Sequence, residues 1–166
     1  TGTAVKLMGE IPLAVIRGNV SEIKALLGGA GTTRGVDADV KDLSAGGLGG
    51  VAAAAKALAL RTGAAVAVTG PTDIVTDGAR LIRVRNGTPQ RSCVTGTGCM
   101  LGALAAAYLS AASGLDAAVT ACAVLGVCGQ LAETERGSGS FMVGLLDALS
   151  TLQDAELERY MDLEEI

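Results

Sequence analysis

Apolar positions along this chain change spacing several times, and each change marks an element. Residues 1–9 carry apolar positions at helical spacing and read as the end of a helix. After Pro12, the run Leu13–Ile16 is apolar without interruption, as in a buried strand. Asn19 then stands where a helix N-cap belongs, and the segment from Val20 to Leu27 returns to helical spacing before Gly28 and Gly29 stop it. Residues 28–45 are polar and glycine-rich, with Asp37, Asp39 and Asp42, and predict a loop. An alanine-rich helix is predicted from Gly46 to Thr62, closed by Gly63, followed by a buried strand over Ala64–Val68.

A turn signal marks the next pair of segments. Asp73–Thr76 and Leu81–Arg85 predict a hairpin turned by Asp77 and Gly78. Thr95–Gly98 is a glycine-rich loop, and it opens a helix reaching about Ala112. Two more helices follow, from Leu115 to about Thr134 and from near Ser140 to Leu152, and the acidic tail from Asp154 predicts a short last helix. The order of strands and helices describes an α/β domain with a mixed sheet. Neither an internal repeat nor a low-complexity linker divides the chain, so residues 1–166 read as one domain.

Composition narrows the function classes. Apolar residues make up 49% of the chain but aromatics only 2%, so alanine and glycine supply much of the core and favour close backbone approaches. The net charge is −4 and the basic residues are not clustered, which argues against nucleic-acid binding. The uncharged stretch from Ser92 to Leu115 is long enough to span a bilayer, but its hydroxyls and glycines and its loop-like start argue against a membrane role. Histidine is absent and the four cysteines, Cys93, Cys99, Cys122 and Cys128, form no CxxC pair, which argues against zinc. Reduced thiols in a cytoplasmic protein fit this pattern best.

Candidate chemistry is concentrated in four short segments, each with two readings. Thr95-Gly96-Thr97-Gly98-Cys99 runs straight into an apolar helix. Glycines there allow close backbone approach, and a helix N-terminus offers unpaired N–H groups, which together suit a phosphoryl anion; a bare strand-to-helix turn has the same pattern. The segment is not a Walker A loop, having no GK[ST], and it is not GxGxxG, since Gly102 comes one residue late. Cys99, in the first turn, can take a proton or act as a nucleophile, because helix N-termini favour thiolates, or it can be a small residue packed under the loop. The other three cysteines are assigned to packing. Asn19 and Glu22 have the spacing of a capping box, and the same carboxylate can hold Mg²⁺ beside phosphates through water. Arg17 and Thr69 lie at the ends of predicted strands, where α/β folds bind ligands; each also reads as an ordinary surface charge or turn residue.

In this order, Ala14-Val15-Ile16-Arg17-Gly18-Asn19-Val20-Ser21-Glu22-Ile23, Val68-Thr69-Gly70, Asp73-Ile74-Val75-Thr76-Asp77-Gly78 and Val94-Thr95-Gly96-Thr97-Gly98-Cys99-Met100-Leu101 resemble the hydroxyethylthiazole kinases. Gly139-Ser140-Phe141 and Leu145-Leu146-Asp147-Ala148-Leu149 resemble that family's last helix. The resemblance implies a ribokinase-like three-layer α/β/α fold with a central, mostly parallel sheet. It implies ATP- and Mg²⁺-dependent phosphorylation of the hydroxyl of 4-methyl-5-(2-hydroxyethyl)thiazole in thiamine salvage, by a homotrimer with sites between subunits. Carried over, Arg17 and Thr69 contact ATP, and Gly96 touches the thiazole. Thr97, Gly98 and Cys99 form the anion hole, with Cys99 in the catalytic-base position, and Asn19 and Glu22 belong to the Mg²⁺–phosphate site. Most ribokinase-like enzymes have Asp where Cys99 stands, which separates this reading from a hydroxymethylpyrimidine kinase. The family's pattern begins upstream with a sheet-forming third that lines the thiazole pocket. The chain is therefore expected to be the C-terminal portion of the kinase domain, and a non-catalytic nucleotide-binding remnant is the alternative from another class.

Overall fold

The computed structural model describes residues 2–28 and 47–166. The predicted loop at 28–45 lies outside the described residues except for Gly28, which ends a helix. The elements are α1 (Gly2–Glu10), β1 (Val15–Asn19), α2 (Val20–Gly28), α3 (Leu48–Thr62), β2 (Ala65–Thr69), β3 (Asp73–Thr76) and β4 (Leu81–Val84). A 3₁₀ turn at Pro89–Cys93 leads to α4 (Thr97–Tyr108), α5 (Gly114–Leu131), α6 (Ser138–Thr151), α7 (Asp154–Tyr160) and β5 (Leu163–Glu165).

The strands form one sheet in the order β1-β2-β3-β4-β5. β1 and β2 are parallel, in register from Val15 opposite Ala65 to Asn19 opposite Thr69. The three remaining pairings are antiparallel. The α/β class and the mixed sheet are as expected, but the described sheet is not mostly parallel. Connection length explains the difference. β1 and β2 are joined by a long crossover, as parallel strands require, whereas Gly70–Thr72 and Asp77–Arg80 are short links that close only antiparallel pairs; the long connection from β4 to β5 allows either direction, and that pair is antiparallel.

Period two sorts β2 onto two cores. Ala65 and Ala67 face a cluster with Val75, Leu101, Cys122, Leu125, Phe141 and Leu145, under α4, α5 and α6. Val66 and Val68 face the other cluster, with Ile16, Ile23, Leu58 and Ile74, under α2 and α3. Helices therefore cover both faces of the sheet, giving three layers. Glycine shapes the contacts of α5: a Cβ on Gly126 would fall 2.6 Å from the Asn86 Cβ and 2.8 Å from its carbonyl oxygen. That closeness lets buried Asn86 donate to Gln130 at 2.9 Å and to the Tyr160 carbonyl at 2.7 Å, and accept from the Asp162 N–H at 2.6 Å.

α5 is the one described helix long and apolar enough to cross a membrane, and 67% of it is buried inside the protein. The uncharged stretch from Ser92 to Leu115 is not one helix but a 3₁₀ turn, α4 and the start of α5.

β5 was not expected from the sequence. It pairs with β4 through the backbone and through charge. Arg80 holds Glu165 at 2.9 Å, Arg83 holds Glu164 at 2.8 Å, and Arg85 holds Asp162 at 2.7 Å and Glu164 at 2.9 Å.

Candidate active site at the strand ends

The parallel pair β1–β2 places Asn19 directly beside Thr69, and α2 starts at once after β1. Carboxyl ends of parallel strands are where open α/β sheets present ligand-binding residues. Thr69 is half-buried, and its hydroxyl donates to the Gly18 carbonyl at 3.4 Å.

Asn19 and Glu22 form a reciprocal cap. The Glu22 N–H donates to Asn19 Oδ1 at 2.9 Å, and the Asn19 N–H donates to Glu22 Oε2 at 2.8 Å. This satisfies two N–H groups that a helix start otherwise leaves unpaired. A Cβ on Gly18 would fall 3.0 Å from Glu22 Oε2, so glycine makes room for the folded-back carboxylate. Glu22 remains exposed. The cap uses Oε2 of this carboxylate. Among the described residues no group of three or more His, Cys, Asp or Glu side chains gathers around a metal position.

α4 begins with a different geometry. Its N-cap is Gly96, at φ 101°, and no side chain caps the turn. The Met100 N–H donates to the Gly96 carbonyl at 3.0 Å. The N–H groups of Thr97, Gly98 and Cys99 precede that first helical bond, so helix geometry gives them no partner within the helix. Arg17 lies against this turn: a Cβ on Gly98 would fall 2.9 Å from its Nη1, and one on Gly102 would fall 3.7 Å from its Nε. Glycine at 98 thus admits a guanidinium beside an uncapped helix start, two positive features at one point.

The structure brings Arg17, Gly96, Thr97, Gly98 and Cys99 together. Asn19, Glu22 and Thr69 sit along the same strand ends. Cys99 is exposed, which corrects the packed reading of that thiol, and Cys93 is exposed too rather than packed. Cys122 and Cys128 are buried as expected, and burial pushes the Cys128 thiol up to about 11 and raises the Cys122 thiol as well.

Two cavities flank the Thr69-Gly70-Pro71 turn. One, of about 490 Å³, lies toward Val20, Lys24, Leu48 and Val51. The other, of about 530 Å³, lies toward Thr88, Arg91, Ser92 and Thr97. Sequence reading missed the second wall, because Thr88–Cys93 looked like a featureless link. It is in fact well anchored. Thr88 caps the 3₁₀ turn through the Gln90 N–H at 3.3 Å, and the Gln90 amide exchanges hydrogen bonds with Thr134 at 2.8 and 3.2 Å. The TP dipeptide before that turn was the available signal.

This is a three-layer α/β domain in which an arginine lies against a glycine-lined, uncapped helix start beside the ends of its parallel strands. The sequence matches the Hydroxyethylthiazole kinase family over residues 1–155, and the chain belongs to that family. It is 42% identical over 163 residues to a hydroxyethylthiazole kinase of Clostridium acetobutylicum, covering 94% of this chain and 60% of the relative. With a hydroxyethylthiazole kinase of Nitratidesulfovibrio vulgaris the identity is 46% over 154 residues, covering 92% of this chain and 55% of that one. The solved structure of a hydroxyethylthiazole kinase protein from Pyrococcus horikoshii superposes with a TM-score of 0.81 at 30% identity, covering 100% of this chain and 61% of the other. The chain thus spans about 60% of the length of these relatives.

Proposed function

We propose that this protein takes part in transfer of the γ-phosphoryl group of ATP to the hydroxyl of 4-methyl-5-(2-hydroxyethyl)thiazole, a step of thiamine salvage in the cytoplasm. The observation that carries this reading is the Arg17 guanidinium laid against Gly98 beside the uncapped start of α4, in a chain of the hydroxyethylthiazole kinase family.

Phosphoryl transfer depends on positioning and on stabilising charge that spreads over the phosphoryl oxygens. Arg17 and the N–H groups of Thr97, Gly98 and Cys99 receive those oxygens. Thr69 steadies the nucleotide from the neighbouring strand end, and Gly96 leaves the thiazole room to approach. Cys99 stands in the catalytic-base position as the substrate hydroxyl loses its proton, the new O–P bond forms and ADP leaves. Glu22, steadied by Asn19, would hold Mg²⁺ through water, and the cation neutralises phosphate charge when bound. The assembly that completes the thiazole site is a homotrimer.

The test is to incubate the protein with ATP, Mg²⁺ and the thiazole alcohol and to look for the phosphorylated thiazole by mass spectrometry. Formation of that product, dependent on ATP, supports the reading; no product with a nucleotide-binding protein in hand supports a non-catalytic role. The Glu22→Gln variant sharpens the metal assignment, since Gln keeps the cap but removes the charge. Its melting temperature is expected to stay near the parent's, while half-maximal rate requires more Mg²⁺. An unchanged Mg²⁺ titration would leave Glu22 as a cap and nothing more.

A further inference from the structure

Arginine usage on this protein is uneven. Arg80, Arg83 and Arg85 are committed to the carboxylates of β5 and its approach, and Arg61 donates to the carbonyls of Leu26 and Leu27 at 2.9 and 3.1 Å. Arg91 is different. Its stem crosses α5 where a Cβ on Gly129 would fall 3.3 Å from its Cδ, and its head passes Gly87, where a Cβ would fall 3.4 Å from its Nη1. Two glycines therefore make a track for this side chain. Among the described residues its guanidinium makes no hydrogen bond and no ion pair, although it lines the cavity of about 530 Å³.

The rest of that cavity's wall mixes prolines and glycines with hydroxyl side chains. Thr69, Thr88, Ser92 and Thr97 contribute hydroxyls, and Thr97 also opens α4. Close by is Asp73, 1% exposed, whose Oδ1 accepts the Gly70 N–H at 2.9 Å and whose Oδ2 has no hydrogen-bond partner. Burial raises the Asp73 carboxyl, and the Gly70 N–H, the positive charge of Arg91 and the Cys122 thiol act against that rise. One buried carboxyl group thus fixes the Thr69–Pro71 turn on one oxygen, near enough to Arg91 to feel its charge.

We propose that Arg91 is a second phosphate-binding arginine, on the cavity wall that includes Thr97 at the start of α4, and that Asp73 is its positioning residue. The proposal rests on the ATP reading above and adds a second arginine to it. A guanidinium with free donors, stiffened by packing along its stem, suits the fork-shaped recognition of phosphoryl oxygens. The hydroxyls of Thr69, Ser92 and Thr97 donate to the backbone carbonyls of Gly18, Pro89 and Arg91, which leaves the guanidinium as the charged donor group on this wall.

Calorimetry with ATP, ADP and adenosine tests this on the purified protein, comparing the parent, Arg17→Ala, Arg91→Met, Arg91→Lys and Asp73→Asn. Met keeps the stem packed on Gly129 and removes only the charged head. ATP is expected to bind Arg91→Met more weakly by about tenfold or more, as loss of a charged hydrogen-bond partner implies, with a smaller loss for ADP and none for adenosine. Arg91→Lys should recover part of the ATP affinity. Asp73→Asn should weaken ATP less than Arg91→Met, and adding it to Arg91→Met should cost nothing further, the signature of two residues acting as one unit. A purely structural role would instead weaken adenosine and ATP alike. If the parent binds ATP and Arg17→Ala weakens it while Arg91→Met binds as tightly as the parent, the inference fails and the ATP reading stands. Equal weakening toward adenosine would overturn it as well, by assigning the cavity to the base. A parent that binds no ATP would overturn both.

Discussion

Gly126→Ala is expected to destabilise the protein, although alanine is the better helix former by close to 1 kcal/mol. The new methyl group would sit 2.6 Å from the Asn86 Cβ and 2.8 Å from its carbonyl oxygen, closer than real contacts allow. Neither neighbour can swing away. Asn86 is 3% exposed and is held by Gln130, the Tyr160 carbonyl and the Asp162 N–H. Relief requires α5 to move off the sheet, and overpacking of this kind costs about 1–3 kcal/mol. In a chain of this length each kcal/mol lowers the melting temperature by roughly 2–4 °C. Gly139→Ala is the control, because nothing lies within 4 Å of a Cβ there; it should be neutral or slightly stabilising. Thermal denaturation of both variants decides the matter. A Gly126→Ala protein as stable as the parent would mean that α5 and Asn86 are not packed this closely.

Cys99→Ala is expected to lower turnover substantially while leaving ATP affinity nearly intact. Proton transfer by a positioned side chain contributes roughly 10²–10⁴-fold in general, and phosphoryl transfer draws on it less than most reactions, so the lower end applies. ATP affinity is spared because the backbone N–H groups of residues 97–99, not the thiol, receive the phosphate. Cys99→Asp should retain activity, since a carboxylate is ionised at neutral pH and can accept the same proton. Exposure of Cys99 at the helix start is compatible with this role. Full turnover in Cys99→Ala would remove the thiol from the chemistry, and a phosphorylated cysteine found by mass spectrometry would mean covalent catalysis instead.

Most of the scaffold was legible because its elements carry strong local signals. Gly63, at φ 70°, closes α3 where the sequence placed the stop, and Asn19 and Glu22 form the cap that their spacing announced. β5 was not legible, because Leu163–Glu165 is short, acidic and mostly exposed. Its position is fixed by Arg80, Arg83 and Arg85 across the sheet edge, and only a comparison of distant charge patterns could have found it. The candidate site was half legible for the same reason. Arg17 and the Thr95–Cys99 loop stand out locally. That Gly98 exists to admit the Arg17 side chain, and that Gly87 and Gly129 make a track for Arg91, are facts about residues far apart in sequence.

The central claim is that Arg17 and the start of α4 together hold the phosphates of ATP. Titration of MgATP into the parent and into Arg17→Ala, with melting curves for both, tests it most directly. The parent is expected to bind, and the variant to bind about tenfold or more weakly at an unchanged melting temperature, because one charge-assisted partner is lost. Equal affinity in a folded Arg17→Ala protein would contradict the claim.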